Sequence, residues 1–296
     1  MTEIESDWIE LRSTELRARI NPLGAQLSVL QDREGRDLLW NGDAAFWAGR
    51  APFLFPIVGA LAGGQYRLGT KTYALPRHGF ARGKPFKVVK SEAARATFQL
   101  RADDSSLAVY PFRFELDIGF RVQAATLSVT AIIRNVGHDV MPASFGYHPA
   151  FRWPLPYGQS RASHFIEFEC DEPAPVRRLD SAGLLLPAGM PTPIQSRRLM
   201  LDDALFRDDA LILDQVRSRS VSYGGLSGPR IAVAFPDMPY LGVWMKPGAN
   251  FICIEPWHGI ADPQGYRGDF ADKPGAFRVD AGRTVELRTD ITLTGL

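Results

Sequence analysis

Cysteine is nearly missing from this chain: Cys170 and Cys253 are the only two, and no Cys-x-x-Cys pair or Cys/His cluster accompanies them. That excludes a disulfide framework and gives no sign of a zinc site, so both read as buried thiols. Long apolar runs are lacking as well. Nothing approaches the about 20 consecutive apolar residues of a spanning helix, and the acidic start from Met1 to Trp8 carries no apolar leader core. The expectation is a cytoplasmic protein with no membrane partner. Neither sign of charge dominates, with 34 Lys and Arg against 33 Asp and Glu, which argues against nucleic acid as a partner and for a small molecule. A Gly-x-Ser-x-Gly elbow, a phosphate loop and a dinucleotide fingerprint are all absent, and with them the usual signals of serine hydrolysis and nucleotide chemistry.

What the chain does carry is strand pattern. Phe112, Phe114, Leu116, Ile118 and Phe120 alternate with polar or small residues, Leu127, Val129, Ala131 and Ile133 do the same, and Val285, Leu287, Thr289, Ile291 and Leu293 repeat it near the end. Period-2 alternation of this kind marks half-buried antiparallel strands. Turn residues punctuate the rest: Asn21-Pro22-Leu23-Gly24, Asp32 to Gly35 before a strand at Asp37 to Trp40, and Gly69-Thr70 at the tip of a hairpin over Tyr66 to Leu75. A short helix is expected between Met190 and Leu205. With 45% apolar and 23% charged residues and no linker-like stretch, residues 1–296 read as one all-β domain, sandwich or barrel.

The stretch Phe251-Ile252-Cys253-Ile254-Glu255-Pro256-Trp257-His258 puts one carboxylate at the end of a buried strand. Such a group is either a general base held beside a dry cavity or a strand-end salt bridge. Four other places draw notice. Phe46 to Pro56 is an aromatic, proline-punctuated loop around Arg50. His78 lies between Arg77 and Arg82 beside Gly79, and His148 lies among aromatics and prolines in Phe145 to Phe151. The pair Asp208-Asp209 suggests a turn with one inward acid, because adjacent strand residues face opposite ways. A metal centre drawn from His78, His148, His258 and Asp262 lacks ligand spacing apart from the last two, and Glu255 has no twin carboxylate of the kind a glycosidase uses.

Taken together, Gly49-Arg50-Ala51-Pro52 to Leu54-Phe55-Pro56 with Gly59, Arg77-His78-Gly79-Phe80-Ala81-Arg82, Gly146-Tyr147-His148-Pro149-Ala150-Phe151 and Cys253-Ile254-Glu255-Pro256-Trp257 resemble the aldose 1-epimerases, or mutarotases, in particular the LacX-like branch. The resemblance runs from Ile20 to the C-terminus. It implies a galactose-mutarotase-like β-supersandwich with a monosaccharide in a cleft on one sheet, and a reaction that uses neither metal nor nucleotide cofactor. It also implies roles: Glu255 as catalytic base, His148 as catalytic acid, Arg50 and His78 as groups holding the sugar, and Asp209, with Asp208 as rival, gripping hydroxyls. The galactose-mutarotase branch has an Asn where Gly49 stands here. On this reading Glu255 rests ionised and His148 protonated, and Trp257, Phe145 and Phe151 supply an apolar wall. Two alternatives stay open: a carbohydrate-binding or sensing protein without turnover, and an epimerase of hexose 6-phosphates using Arg50, Arg77, Arg82, Lys246 and Arg267.

Overall fold

Three long alternating segments pair side by side, and the largest sheet grows outward from them. In the computed structural model, which describes residues 7–295, Phe114–Gln123 runs antiparallel to Thr126–Asn135, which in turn pairs with Thr284–Thr294. Most of the buried side chains are those the alternation selects: Phe114, Leu116, Ile118, Phe120 and Val122 on the first strand, Leu127, Val129, Ala131 and Ile133 on the second, and Leu287, Thr289, Ile291 and Leu293 on the third, whereas Val285 is only half-buried and Asp117 is buried as well. Phe112 lies before the strand and is only half-buried. Arg95–Arg101 and Lys87–Glu92 extend this sheet on one side, and Arg230–Ala234, Ser220–Gly224, Phe165–Phe168 and Arg198–Met200 extend it on the other, giving nine antiparallel strands.

A second sheet of six strands contains Leu211–Leu213, Tyr240–Trp244, Phe251–His258, Phe145–Tyr147 and Phe53–Leu54, with Ala150–Arg152 also paired to Phe251–His258. Aromatic rings fill the space between the two sheets. Phe53 packs against Phe120 with centroids 6.1 Å apart, Phe55 meets Phe114 at 5.1 Å, and Phe151 meets Tyr223 at 6.4 Å. Both faces of Phe251–His258 are covered, so seven of its eight residues are buried. An antiparallel strand covered on both sides has no reason to alternate, which accounts for the unbroken apolar run before Glu255.

Smaller pieces complete the fold. Ile9–Arg12, Leu16–Asn21 and Gln26–Asp32 form a three-stranded sheet, and Gln65–Leu68 with Lys71–Ala74 is the expected hairpin. Asp37 to Trp40 makes isolated bridges to Gln31 and Phe151 rather than a strand. The helix expected between Met190 and Leu205 does not form. Pro191 and Pro193 remove backbone donors, and Ser196 turns the chain at φ 54°. The chain then continues as the strand Arg198–Met200 and a single 3-10 turn, Asp203–Phe206, capped by the Asp202 side chain on the Ala204 amide. The one α-helix among the described residues is Asp104–Leu107, and none of their helices is long and apolar enough to cross a membrane.

Beyond the end of Phe251–His258 lies a buried ion pair. Lys273 is 3% exposed, and its Nζ donates to Asp262 Oδ1 at 2.8 Å and to the Ile260 carbonyl at 2.7 Å. Asp262 Oδ2 accepts from the Ala62 amide at 2.8 Å. One carboxylate thus ties the chain after the strand to the loop after Phe53–Leu54. Removing one partner of such a pair leaves an uncompensated charge, so Lys273→Met is expected to cost about 3 to 5 kcal/mol in urea unfolding, with much of it recovered in the double substitution Lys273→Met/Asp262→Leu.

Candidate active site

Strand period places Cys253, Glu255 and Trp257 on one face of Phe251–His258, the face turned away from the Ile252 and Ile254 contacts of the main core. Across the sheet from Glu255 stands Gly242, and across from Trp257 stands Gly146. These two glycines are required by the indole: a Cβ at Gly242 would lie 2.4 Å from a Trp257 ring carbon, and one at Gly146 2.7 Å. Trp257 therefore lies down across its neighbours and leaves room above Glu255. That room is a cleft of about 500 Å³ lined by Trp47, Arg77, His78, Arg82, His148, Phe206, Arg207, Asp209, Trp244, Lys246, Glu255 and Trp257 among others.

His148 follows the short strand Phe145–Tyr147, and its amide donates to the Pro52 carbonyl at 3.1 Å. Its ring stacks on Trp47 with centroids 4.9 Å apart and meets Trp244 edge-on at 5.7 Å. Nε2 comes within 3.2 Å of Glu255 Oε2. Glu255 is 1% and His148 7% exposed, and burial drives both toward neutrality: the Glu255 carboxyl is pushed well above the usual carboxylate range, while the His148 imidazole is pushed down to about 3. Arg77 opposes the shift of Glu255 and adds to that of His148. A contact of 3.2 Å suits either a carboxylate facing an imidazolium or a carboxylic acid facing a neutral ring. Complete burial among indoles favours the second. This reverses the expected resting charges, and the two groups are best described as one pair holding one proton.

His78 sits in the left-handed region at φ 69°. Its amide donates to the Gly59 carbonyl at 2.9 Å, and the Gly59 amide donates back to His78 Nδ1 at 3.1 Å. Gly59 can only be glycine here, because at φ 77° its Cβ would lie 2.5 Å from Ala261. Burial, with His148, Arg77 and Arg82 nearby, holds the His78 ring well below the ordinary imidazole pKa. Its ring centroid is 6.0 Å from that of His148.

Asp209 reaches the cleft and Asp208 is not among its lining residues. Asp209 takes φ 65°, its Oδ1 accepts from the Ala210 amide at 2.9 Å, and Arg178 holds the loop through the Asp209 and Leu205 carbonyls at 2.8 and 2.7 Å. Oδ2 lies 3.7 Å from Arg77 Nη2.

Arg50 is not brought to the cleft. Its Nη1 donates to the Ser28 carbonyl at 2.7 Å and its guanidinium lies 5.1 Å from the Trp8 ring centre, so it fastens the aromatic loop to Gln26–Asp32. The loop's contribution is Trp47. Gly49 is what seats this indole, since a Cβ there would lie 2.4 Å from the Trp47 ring, and that gives the departure from Asn a steric reason. Phe145 and Phe151 face the core instead of forming a wall. Of the four proposed metal ligands, His258 packs on Phe277 at 4.8 Å and Asp262 is engaged with Lys273, so neither joins His78 and His148. Cys170 is half-buried beside Ser218. Trp244 and Arg207 line the cleft without any signal in the sequence, because they arrive from a strand and a 3-10 turn whose spatial neighbours only the fold defines.

Three polar atoms around the pair, His148 Nδ1, Glu255 Oε2 and Trp257 Nε1, are buried with no well-aligned hydrogen bond from the protein itself. Unsatisfied polar atoms converging on one concave surface are characteristic of a ligand site. A cleft of this size on one sheet of a β-sandwich, floored by a buried carboxyl and imidazole in contact, defines the class of protein that binds a small molecule on a β scaffold. Comparison with known proteins gives the family. The family model described as Aldose 1-epimerase matches residues 7–267, and the chain belongs to that family. It is 31% identical to the plasmid and chromosomal LacX proteins of Lactococcus lactis subsp. lactis, over 96% of this chain and 99% of theirs. A galactose mutarotase-like protein from Lactobacillus casei superposes with a TM-score of 0.90 at 28% identity, covering 97% of this chain and 99% of that one. The galactose mutarotase related enzyme from Lactobacillus acidophilus gives 0.88 at 27%, covering 97% of each. The fold is galactose-mutarotase-like.

Proposed function

We propose that the protein is an aldose 1-epimerase that interconverts the α and β anomers of an aldohexose, with Glu255 and His148 as its base and acid. The observation that carries this reading is the 3.2 Å approach of His148 Nε2 to Glu255 Oε2 on the floor of the cleft. The two oxygens that must exchange protons in the reaction, the C1 hydroxyl and the ring oxygen, are bonded to the same carbon, so a base and an acid side by side can serve both. In ring opening the Glu255 carboxylate takes the hydroxyl proton while His148 gives its proton to the ring oxygen, and the C1–ring oxygen bond breaks. After rotation about C1–C2 the ring closes by the reverse transfers, starting from carboxylic acid and neutral imidazole, the form that burial favours. The pair holds one proton before and after, and no cofactor enters. His78 and Asp209 hold sugar oxygens, and Trp257 offers its indole to a C–H face.

A second reading has one specific observation in its favour. Arg77, Arg82, Arg207 and Lys246 line a cleft whose acids are Asp209 and the protonated pair member Glu255, and among the described residues neither Arg207 nor Lys246 has an ion-pair partner. An excess of positive charge suits a sugar that carries an anion, such as a hexose 6-phosphate.

Anomer exchange of glucose and galactose followed by NMR tests the enzyme reading: Glu255→Gln and His148→Asn should each slow it by about 10² to 10⁴-fold. Wild-type exchange no faster than the buffer rate would sink that reading and leave a binding or sensing site. The pH dependence has a definite sign. The His148 pKa is lowered, so the pair takes a second proton only well below 6.5, and the Glu255 pKa is raised, so the pair loses its single proton well above 4.5. The kcat/KM profile of the free enzyme should therefore show no acid limb near pH 6.5, and an acid limb centred there would count against the pair as described. For the anionic sugar, glucose 6-phosphate should show a KM roughly tenfold or more below that of glucose, a gap worth about 1.4 kcal/mol, and the gap should shrink in Lys246→Ala and Arg207→Ala. Equal values for the two sugars remove the idea.

A further inference from the structure

Cys253 has no part in the sugar chemistry, yet it lies directly behind the pair. A ring nitrogen of His148, the Cys253 sulfur and a Glu255 carboxylate oxygen all lie within 4.8 Å of one another, and all three residues are buried. Cys253 and Glu255 project from the same strand face, two residues apart, and His148 approaches from the turn before Ala150–Arg152, whose Ala150 pairs with Cys253. We propose that this triad is an inhibitory site for a thiophilic divalent cation of the zinc or cadmium kind.

The donor set decides the class of ion. One thiolate, one imidazole and one carboxylate match the preferences of Zn²⁺ and Cd²⁺ and not those of Mg²⁺ or Ca²⁺, which take oxygen ligands. A tetrahedral cation with bonds of about 2.0 to 2.3 Å holds its donors roughly 3.5 Å apart, within the 4.8 Å that spans the three donor atoms here. The cleft gives a route, because His148 and Glu255 line it. A cation among these donors takes the place of the proton in the 3.2 Å contact between His148 Nε2 and Glu255 Oε2, and Glu255 Oε2 has no other well-aligned hydrogen bond from the protein. The cationic rim does not forbid the site. Binding releases the thiol proton of Cys253 and the proton held by the Glu255–His148 pair, and two protons leave as one M²⁺ arrives, so the charge of the floor is unchanged. Affinity should accordingly rise with pH.

The consequence, that the bound ion occupies the acid and the base and stops turnover, rests on the proposed epimerase reading. The site itself does not, and a spectroscopic test separates the two. The probe is Cd²⁺ added to the full chain carrying Cys170→Ser, so that Cys253 is the only thiol, with the ultraviolet thiolate-to-cadmium absorption as readout and circular dichroism as the check on folding. The expected result is one equivalent of Cd²⁺ per chain, with His148→Asn and Glu255→Gln each weakening binding by at least about 10- to 100-fold, the loss that even an outer partner costs a metal site. In the activity arm, Zn²⁺ slows anomer exchange in the parent chain and has much less effect in Cys253→Ser. A folded protein that gives no absorption band, or a band whose affinity is the same in His148→Asn and Glu255→Gln, overturns the site. A band with no effect of Zn²⁺ on exchange keeps the cation site and overturns the inhibitory role.

Discussion

The burial of one carboxyl at the end of an apolar strand is the constraint on which the rest of this protein turns. Glu255 could be accommodated there as an isolated charge only at a cost of several kcal/mol, and the structure answers by placing the His148 ring beside it rather than a cation. Both groups are pushed toward neutrality, and a single proton becomes common property of the two. Much of the surrounding architecture follows from keeping that arrangement dry and fixed. Trp47 and Trp244 enclose the imidazole, and Gly49, Gly146 and Gly242 are small because indoles occupy the volume their side chains would take.

The sheet that carries the pair and the loops that shape the cleft have different origins in the chain. The nine-stranded sheet is centred on three long strands, Phe114–Gln123, Thr126–Asn135 and Thr284–Thr294, whose alternation determines which side faces inward. The six-stranded sheet is made of short strands buried on both faces, and its outer face is closed by segments between Arg177 and Ala210 that have little regular structure. Those segments are held by side chains gripping backbone carbonyls, Arg178 on Leu205 and Asp209 being the instance nearest the chemistry. Precision at the floor and adaptability at the rim are thus assigned to different parts of the fold.

This division also explains what could be read from the residues alone. The long strands were legible because period-2 burial writes itself into composition, and Glu255, His148 and His78 were legible through motifs in which glycine and proline fix the backbone locally, whereas Asp209 could be read only with Asp208 as its rival. Arg50 misled because its motif identifies the loop but not the direction in which a long flexible side chain leaves it. The helix expected after Met190 failed against two prolines and a left-handed Ser196. Trp244, Arg207 and the role of Gly49 could not be found without the fold, since each depends on a ring or a charge brought from a distant part of the sequence. The resting charge of the pair was likewise out of reach, because residue types alone do not state how completely a site is dried.

The Gly59 amide that points at His78 has a consequence for what the cleft can recognise. By occupying Nδ1 with a donor, the backbone forces the hydrogen of the neutral ring onto Nε2, and the low pKa keeps a second hydrogen away. His78 is thereby a one-way contact: it offers a hydrogen and has no lone pair to offer. An ether-type oxygen, which has lone pairs and no hydrogen, meets that demand in every rotamer, whereas a hydroxyl meets it only when turned the right way. The backbone geometry around Gly59 therefore gives the cleft a polarity sense at one point.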